Sequence, residues 1–232
     1  MNSYRTSAVV AGVFFLVAAF PAMLALALYQ PVLHNTGFVV SRSAADWQVL
    51  LGAFLEVLVV ISVIGTAVTL FPVVRRENEG AAIGYVAGRT VEGVMIAVGI
   101  LSLVSIVTMR QSFAGDAGAA EAVARALVAV HDWTFLFGPN LALGVNTSLL
   151  AYLMYRSGLV PRIIPILGFI GGPLIFVSGT AVLFGLYAQT SVWGAVTALP
   201  VFSWEMSLAV WMIVKGFKPS PVLAAAARPA VA

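Results

Sequence analysis

Residues 81–109 read AAIGYVAGRTVEGVMIAVGILSLVSIVTM, an apolar run whose only charges are Arg89 and Glu92. A helix that crosses a bilayer needs about 20 predominantly apolar residues, and this run exceeds that. A charge at the centre of the hydrocarbon costs roughly 2.5–3.5 kcal/mol even on the lenient insertion scale, so it is kept where it faces protein or a wet cavity. Arg89 and Glu92 are three residues apart and therefore neighbours on one helix face. The stretch decides two things together: the chain is built of membrane-spanning helices, and those helices surround something polar.

Five more stretches of the same character flank it, at about 8–29, 47–74, 133–155, 163–187 and 193–214. None alternates apolar and polar residues as a barrel strand does, and a segment in lipid must satisfy its backbone internally, so helices are expected. Composition agrees: 61% of residues are hydrophobic, 9% are charged and the mean hydropathy is +1.04, outside the range of soluble domains. The expected fold is all-α and polytopic, six transmembrane helices in one bundle over residues 1–218. A disordered cytoplasmic tail rich in Pro and Ala is expected over 219–232. Arg5 ahead of an apolar run ending in Ala25-Leu26-Ala27 has features of a signal peptide. The run is about 20 residues, longer than the roughly 7–15 of a signal core, so a retained first helix is expected.

Basic residues set the orientation. With a cytoplasmic N-terminus, eight fall on the inner side: Arg5, Arg75, Arg76, Arg156, Arg162, Lys215, Lys218 and Arg228. Arg42, Arg110 and Arg125 fall outside. Both termini are expected in the cytoplasm, with Trp47, Trp133 and Trp193 at the outer interface and Tyr152 and Tyr155 at the inner one. The expected location is the bacterial inner membrane. Because the basic residues sit at helix ends, the net charge of +3 reports topology and not nucleic-acid binding. In the outer segment 111–130, Asp116 suits a helix cap and Glu121 pairs with Arg125 at i,i+4. That helix would lie on the membrane or extend the fourth span outward.

Several chemistries are excluded. The chain has no cysteine, which removes disulfides, thiolate metal sites and cysteine nucleophiles. No Gly-x-Ser-x-Gly or phosphate loop occurs, no His-x-x-x-His or Glu-x-x-His spacing supports a metal site, and no motif names a cofactor. The polar groups inside the spans remain. At 1.5 Å per residue, Glu205 lies roughly 15 Å from the inner interface, and Arg89 and Glu92 roughly 14 and 18 Å. Asn146 has a similar height, Asn140 is further out, Glu56 falls in the outer third, and His131 and Asp132 stand at the outer interface. Tyr85 is one turn below Arg89. The grading from outer surface to centre, over apolar inner helix halves, describes a cup open to the outside. Gly138-Pro139 is expected to kink the fourth span. Gly84-x-x-x-Gly88 and Gly168-x-x-x-Gly172 mark close packing, expected within the bundle.

Deep in the membrane, Glu56, Glu92 and Glu205 face the single cation Arg89. The surplus of negative charge is relieved by protons or by a bound cation. The plainest reading of Arg89 with Glu92 alone is an ion pair that orders the bundle.

Gly84-Tyr85 with Arg89 and Glu92, Gly144 and Asn146 running into YLMYRSGLVPR at 152–162, and Trp204-Glu205-Met206 ahead of Lys215-Gly216-Phe217 together resemble the bacterial membrane family termed domain of unknown function 4386. The resemblance covers nearly the whole chain. It implies a six-helix integral membrane protein and brings no activity with it.

Three functional readings stay open. The leading one is an outward-open polar cavity for a small cationic or proton-exchanging ligand, in transport or sensing, built from Glu92, Arg89, Glu205, Glu56, Asp132, Asn140, Asn146, Tyr85 and His131. The second is a non-catalytic membrane subunit whose buried charges serve packing, a partner membrane protein or a second copy of the chain. The third is an intramembrane enzyme with Glu92 or Glu205 as acid or base.

Overall fold

The computed structural model describes residues 3–41, 46–112 and 115–224. Among them there is no strand. The helices are α1 (Ser3–Leu28), α2 (Gln30–Leu33), α3 (Asp46–Val74), α4 (Glu79–Gln111), α5 (Ala117–Leu136), α6 (Leu143–Ser157), α7 (Ile163–Leu183), α8 (Val192–Val214) and α9 (Pro221–Ala224). A 3-10 turn spans Thr36–Val40, and a π-helical segment, Phe137–Ala142, joins α5 to α6. Polar residues begin several helices. The side chains of Asn78, Asp116 and Ser191 accept from the amides of Ala81, Gly118 and Gly194, satisfying donors that a first turn leaves free.

Five helices are long and apolar enough to cross a membrane: α1 from Tyr4, α3, α4, α7 and α8. The expected fourth span, 133–155, lies inside a longer composite of α5, the π segment and α6. Asp116 caps its start and Glu121 pairs with Arg125 at 3.5 Å, so the segment after α4 extends this helix outward. Pro139 gives a reason for the π segment and for the absence of a simple kink. Its ring would clash with the carbonyl four residues back, and widening the turn to i→i+5 makes room. Pro21, Pro72, Pro173 and Pro200 sit inside continuous helices, so Gly171-Gly172-Pro173 does not interrupt α7. That helix ends at Leu183, short of the expected 187, and the Tyr187 hydroxyl turns back to Ser178 at 2.6 Å.

Packing neighbours run α1, α3, α4, α6, α7, α8 and back to α1. The basic helix ends meet: Arg5 Nη1 and Nη2 donate to the carbonyls of Met212 and Ile213 at 3.1 and 2.7 Å, and Arg156 pairs with Glu77. At the opposite end Arg110 pairs with Asp46 at 2.6 Å. Between the helices near the basic end lies an apolar core that includes Phe15, Leu70, Tyr85, Met154, Trp204 and Met212. A second core at the opposite end brings Ala120 and Ala124 of α5 against Phe38, Ile106 and Val107. The outward surface is apolar too: Leu101, Val177 and Ile61 are more than half exposed, which fits contact with lipid.

Residues 219–224 are placed against the chain. The Ser220 hydroxyl donates to the Ser157 carbonyl, and α9 follows. Arg42, Arg228 and the remainder of the expected tail lie outside the described residues.

Candidate functional site

The site is built around Arg89, whose side chain is 3% exposed. Nη1 donates to both carboxylate oxygens of Glu92 at 3.2 Å, and Nη2 donates to Glu205 Oε1 at 2.9 Å. Nε donates to the Tyr85 hydroxyl at 3.3 Å, which in turn donates to Thr66 Oγ1 at 3.4 Å. The Thr66 hydroxyl donates in turn to the Val63 carbonyl at 2.7 Å. The guanidinium also lies 5.6 Å from the ring centroids of Phe15 and Tyr85. Each guanidinium nitrogen thus has a partner on α4 or α8, and α3 supports the network through Thr66.

Glu92 has a further partner. Asn146 on α6 donates Nδ2 to Glu92 Oε2 at 2.8 Å, while its Oδ1 is buried with no hydrogen-bond partner. This approach depends on Gly88, where a Cβ would overlap Asn146 Oδ1. One turn toward the other end, Gly138 of the π segment also packs close to α4: an added Cβ would stand 3.0 Å from Met95 Cβ and 3.3 Å from the Glu92 carbonyl. Two glycines therefore bring the α5–α6 composite against the face of α4 that carries the ion pair.

Glu56 on α3 accepts a 2.9 Å hydrogen bond from the fully buried Tyr29 hydroxyl at the end of α1. Glu56, Arg89, Glu92, Glu205 and Asn140 all line one cavity of about 300 Å³, with α1, α3, α4, the π segment, α6, α7 and α8 supplying its walls. A wider vestibule of about 680 Å³ opens at the end opposite the basic residues, lined by Gln30, His34, His131, Asp132 and Gln189 among others. Leu26 and Phe135 line both spaces. The Asp132 side chain is 64% exposed, and its Oδ1 is 3.3 Å from His131 Nδ1. His131 itself is buried, edge-on to Tyr29 and stacked on Phe135.

The structure thus brings Arg89, Glu92, Glu205, Tyr85 and Asn146 into one contact network. Glu56 and Asn140 stand on the same cavity wall, and His131 and Asp132 in the vestibule. Tyr29, Thr66 and Phe135 were not legible as partners. Counting depth sets Tyr29 at the outer end of its span and Glu56 deeper in the next, so the sequence carries no signal for their pairing. Chemically, one guanidinium is shared by two carboxyl groups and a third lines the same cavity, an arrangement able to accept a cation or protons. Among the described residues no group of three or more His, Asp or Glu is placed to hold a metal ion.

The model of the domain of unknown function 4386 family matches residues 10–216, and the chain belongs to that family. An uncharacterised protein of Archaeoglobus fulgidus is similar, 30% identical over 102 residues. The match covers 42% of this chain and 59% of that protein, so the chain spans less than two thirds of the relative's length. No solved structure matches the chain.

Proposed function

We propose that this member of the family crosses the cell membrane six times as one bundle, both termini cytoplasmic, with the α5–α6 composite as the crossing beyond the five long apolar helices. Its cavity opens outward through the vestibule and binds a small cationic or proton-exchanging ligand, for transport or for sensing. The observation that carries this reading is a surplus of carboxylates on a cavity wall: Arg89 is shared by Glu92 and Glu205, and Glu56 lines the same space. A surplus charge beside empty volume favours a positive occupant, because an unpaired carboxylate in low dielectric is expensive.

The test is thermal unfolding of the purified protein in detergent across inorganic cations, organic ammonium ions and pH, since whatever binds the folded state raises its melting point. One cation class, or protons, should stabilise the wild type, and Glu205→Gln should blunt the response. No response to any of them would overturn the reading. A second reading is favoured by one feature, that Arg89 ties α4 to α8. If the site is only such a tie, Glu205→Gln should lower the melting point with no ligand response to lose.

Orientation is tested separately. In this cysteine-free chain, a cysteine at Gly118 should react with an impermeant maleimide in intact cells and one at Asn78 should not. The reverse pattern would invert the topology.

A further inference from the structure

The chemistry of the cavity wall is uneven in a way that selects among cations. Around its carboxyl groups the lining is aliphatic and aromatic, including Ala22, Val59, Val63, Ile175 and Phe202. A small inorganic ion entering this space would exchange its water for a few carboxylate oxygens and the Asn140 amide set among mostly hydrocarbon, a poor replacement for a full hydration shell. An ammonium group on an apolar body loses less, because the body gains from leaving water while the charge meets the carboxylate. Glu205 is the group within reach: its side chain is 13% exposed, against 4% for Glu92 and 3% for Arg89.

The same cavity reaches the perimeter of the protein. Met23 on α1 and Phe202 on α8 both line it, and they are 60% and 39% exposed. Nearer the basic end these two helices are in contact: a Cβ on Gly12 would stand 2.8 Å from the Ala209 carbonyl, and Arg5 grips the end of α8. Toward the opposite end the two helices line the cavity with Ala19 and Ala22 on one and Ala198 on the other, beside the larger Met23 and Phe202. The helices are stapled below and flank the cavity above, at a height that the proposed topology puts in the hydrocarbon.

We propose that the ligand is an amphiphilic organic ammonium ion, which enters from the bilayer between α1 and α8 and seats its charged head at Glu205 with its apolar body against Val59, Val63 and Ile175. This inference rests on the cavity reading above and narrows it. Van der Waals fit to aliphatic walls and one shared charge make such a site tolerant of body shape and strict about charge and size.

The experiment measures binding to the full-length protein in detergent by thermal shift and calorimetry, using n-alkyltrimethylammonium ions of increasing chain length, the matching neutral alcohols, and sodium, potassium and magnesium chlorides. The ammonium series should bind about fourfold more tightly per added methylene until the cavity is filled, then level off. The alcohols should not bind. Glu205→Gln should weaken binding at least tenfold, and Ala198→Phe, which adds bulk to the cavity wall on the proposed entry path without removing a charge, should slow association from lipid nanodiscs. Equal binding of alcohols and ammonium ions would mark non-specific partition and overturn the proposal. Stabilisation by an inorganic cation or by protons alone, with none from the ammonium series, would also overturn it while leaving the cavity reading intact. If nothing stabilises and Glu205→Gln changes no response, both fail.

Discussion

Helix α4 carries two arginines that meet carboxylates, and the two sites are built on opposite plans. Arg110, at the helix end, is matched one to one: Nε and Nη2 take the two oxygens of Asp46 at 2.7 and 2.6 Å, and Nη1 takes the Ser41 carbonyl at 2.8 Å. Both side chains are partly open to solvent. Arg89, in the middle of the helix, is almost wholly buried and shared between two carboxylates, with a third on the same cavity wall. The matched pair has no charge left over and fastens α3 to α4. The unmatched group keeps a surplus where desolvation makes surplus most costly, which a fastening alone does not require.

The largest expected effect comes from breaking the unmatched site at its cation. Arg89→Leu leaves two buried carboxylates uncompensated and should destabilise by about 3–5 kcal/mol in denaturant titrations in detergent. A loss under about 1 kcal/mol would mean the carboxylates take up protons when the arginine goes, and the contrast with Arg110 would soften. Next is Gly88→Ala, which pushes Asn146 away from Glu92 through overlap with its carboxamide. The expected cost is about 1–3 kcal/mol, and Gly88→Ala combined with Asn146→Ala should cost less than the two singly.

Arg110→Leu probes the matched pair. It should cost about 1 kcal/mol, and raising salt to about 1 M should shrink that cost while leaving the Arg89→Leu cost unchanged. The smallest effect sharpens the comparison most. Glu205→Gln keeps an oxygen for Arg89 Nη2 and removes surplus charge, so stability should stay within about 0.5 kcal/mol of wild type while the ligand response falls. A large loss of stability in Glu205→Gln would mean that the second carboxylate is as tightly required as Asp46.

Much of this site was readable because membrane depth is a one-dimensional quantity. Counting residues from the interfaces put Arg89, Glu92, Glu205 and Asn146 at one height, and helices that share a height and a face bring such groups together. What depth does not encode is lateral pairing. Nothing in the periodicity of α1 pairs Tyr29 with Glu56 across a helix interface. The start of the α5–α6 composite was half legible: the Asp116 cap and the Glu121–Arg125 pair marked a helix, while its choice between lying on the membrane and extending the fourth span was not encoded there. Ala120 and Ala124 are buried against Phe38 and Ile106, a local tertiary contact that hydropathy over a window does not detect. The π segment escaped because Pro139 reads equally as a kink, and the choice is made by how Gly138 packs on α4. Gly88 was legible as a close-packing residue through Gly84-x-x-x-Gly88, and Gly138 as part of an expected kink, but which side chain each one admits is known only with the neighbours across the interface.

The grip of Arg5 on the end of α8 spans 207 positions of sequence. During synthesis the first helix is made with this arginine already in place, and the Met212 carbonyl it holds follows 207 positions later. Until then α1 has only α3 to lean on among its two neighbours in the ring. The cavity therefore lacks one of its walls until α8 has been made, and the contact that latches α1 to that wall joins two distant parts of the chain.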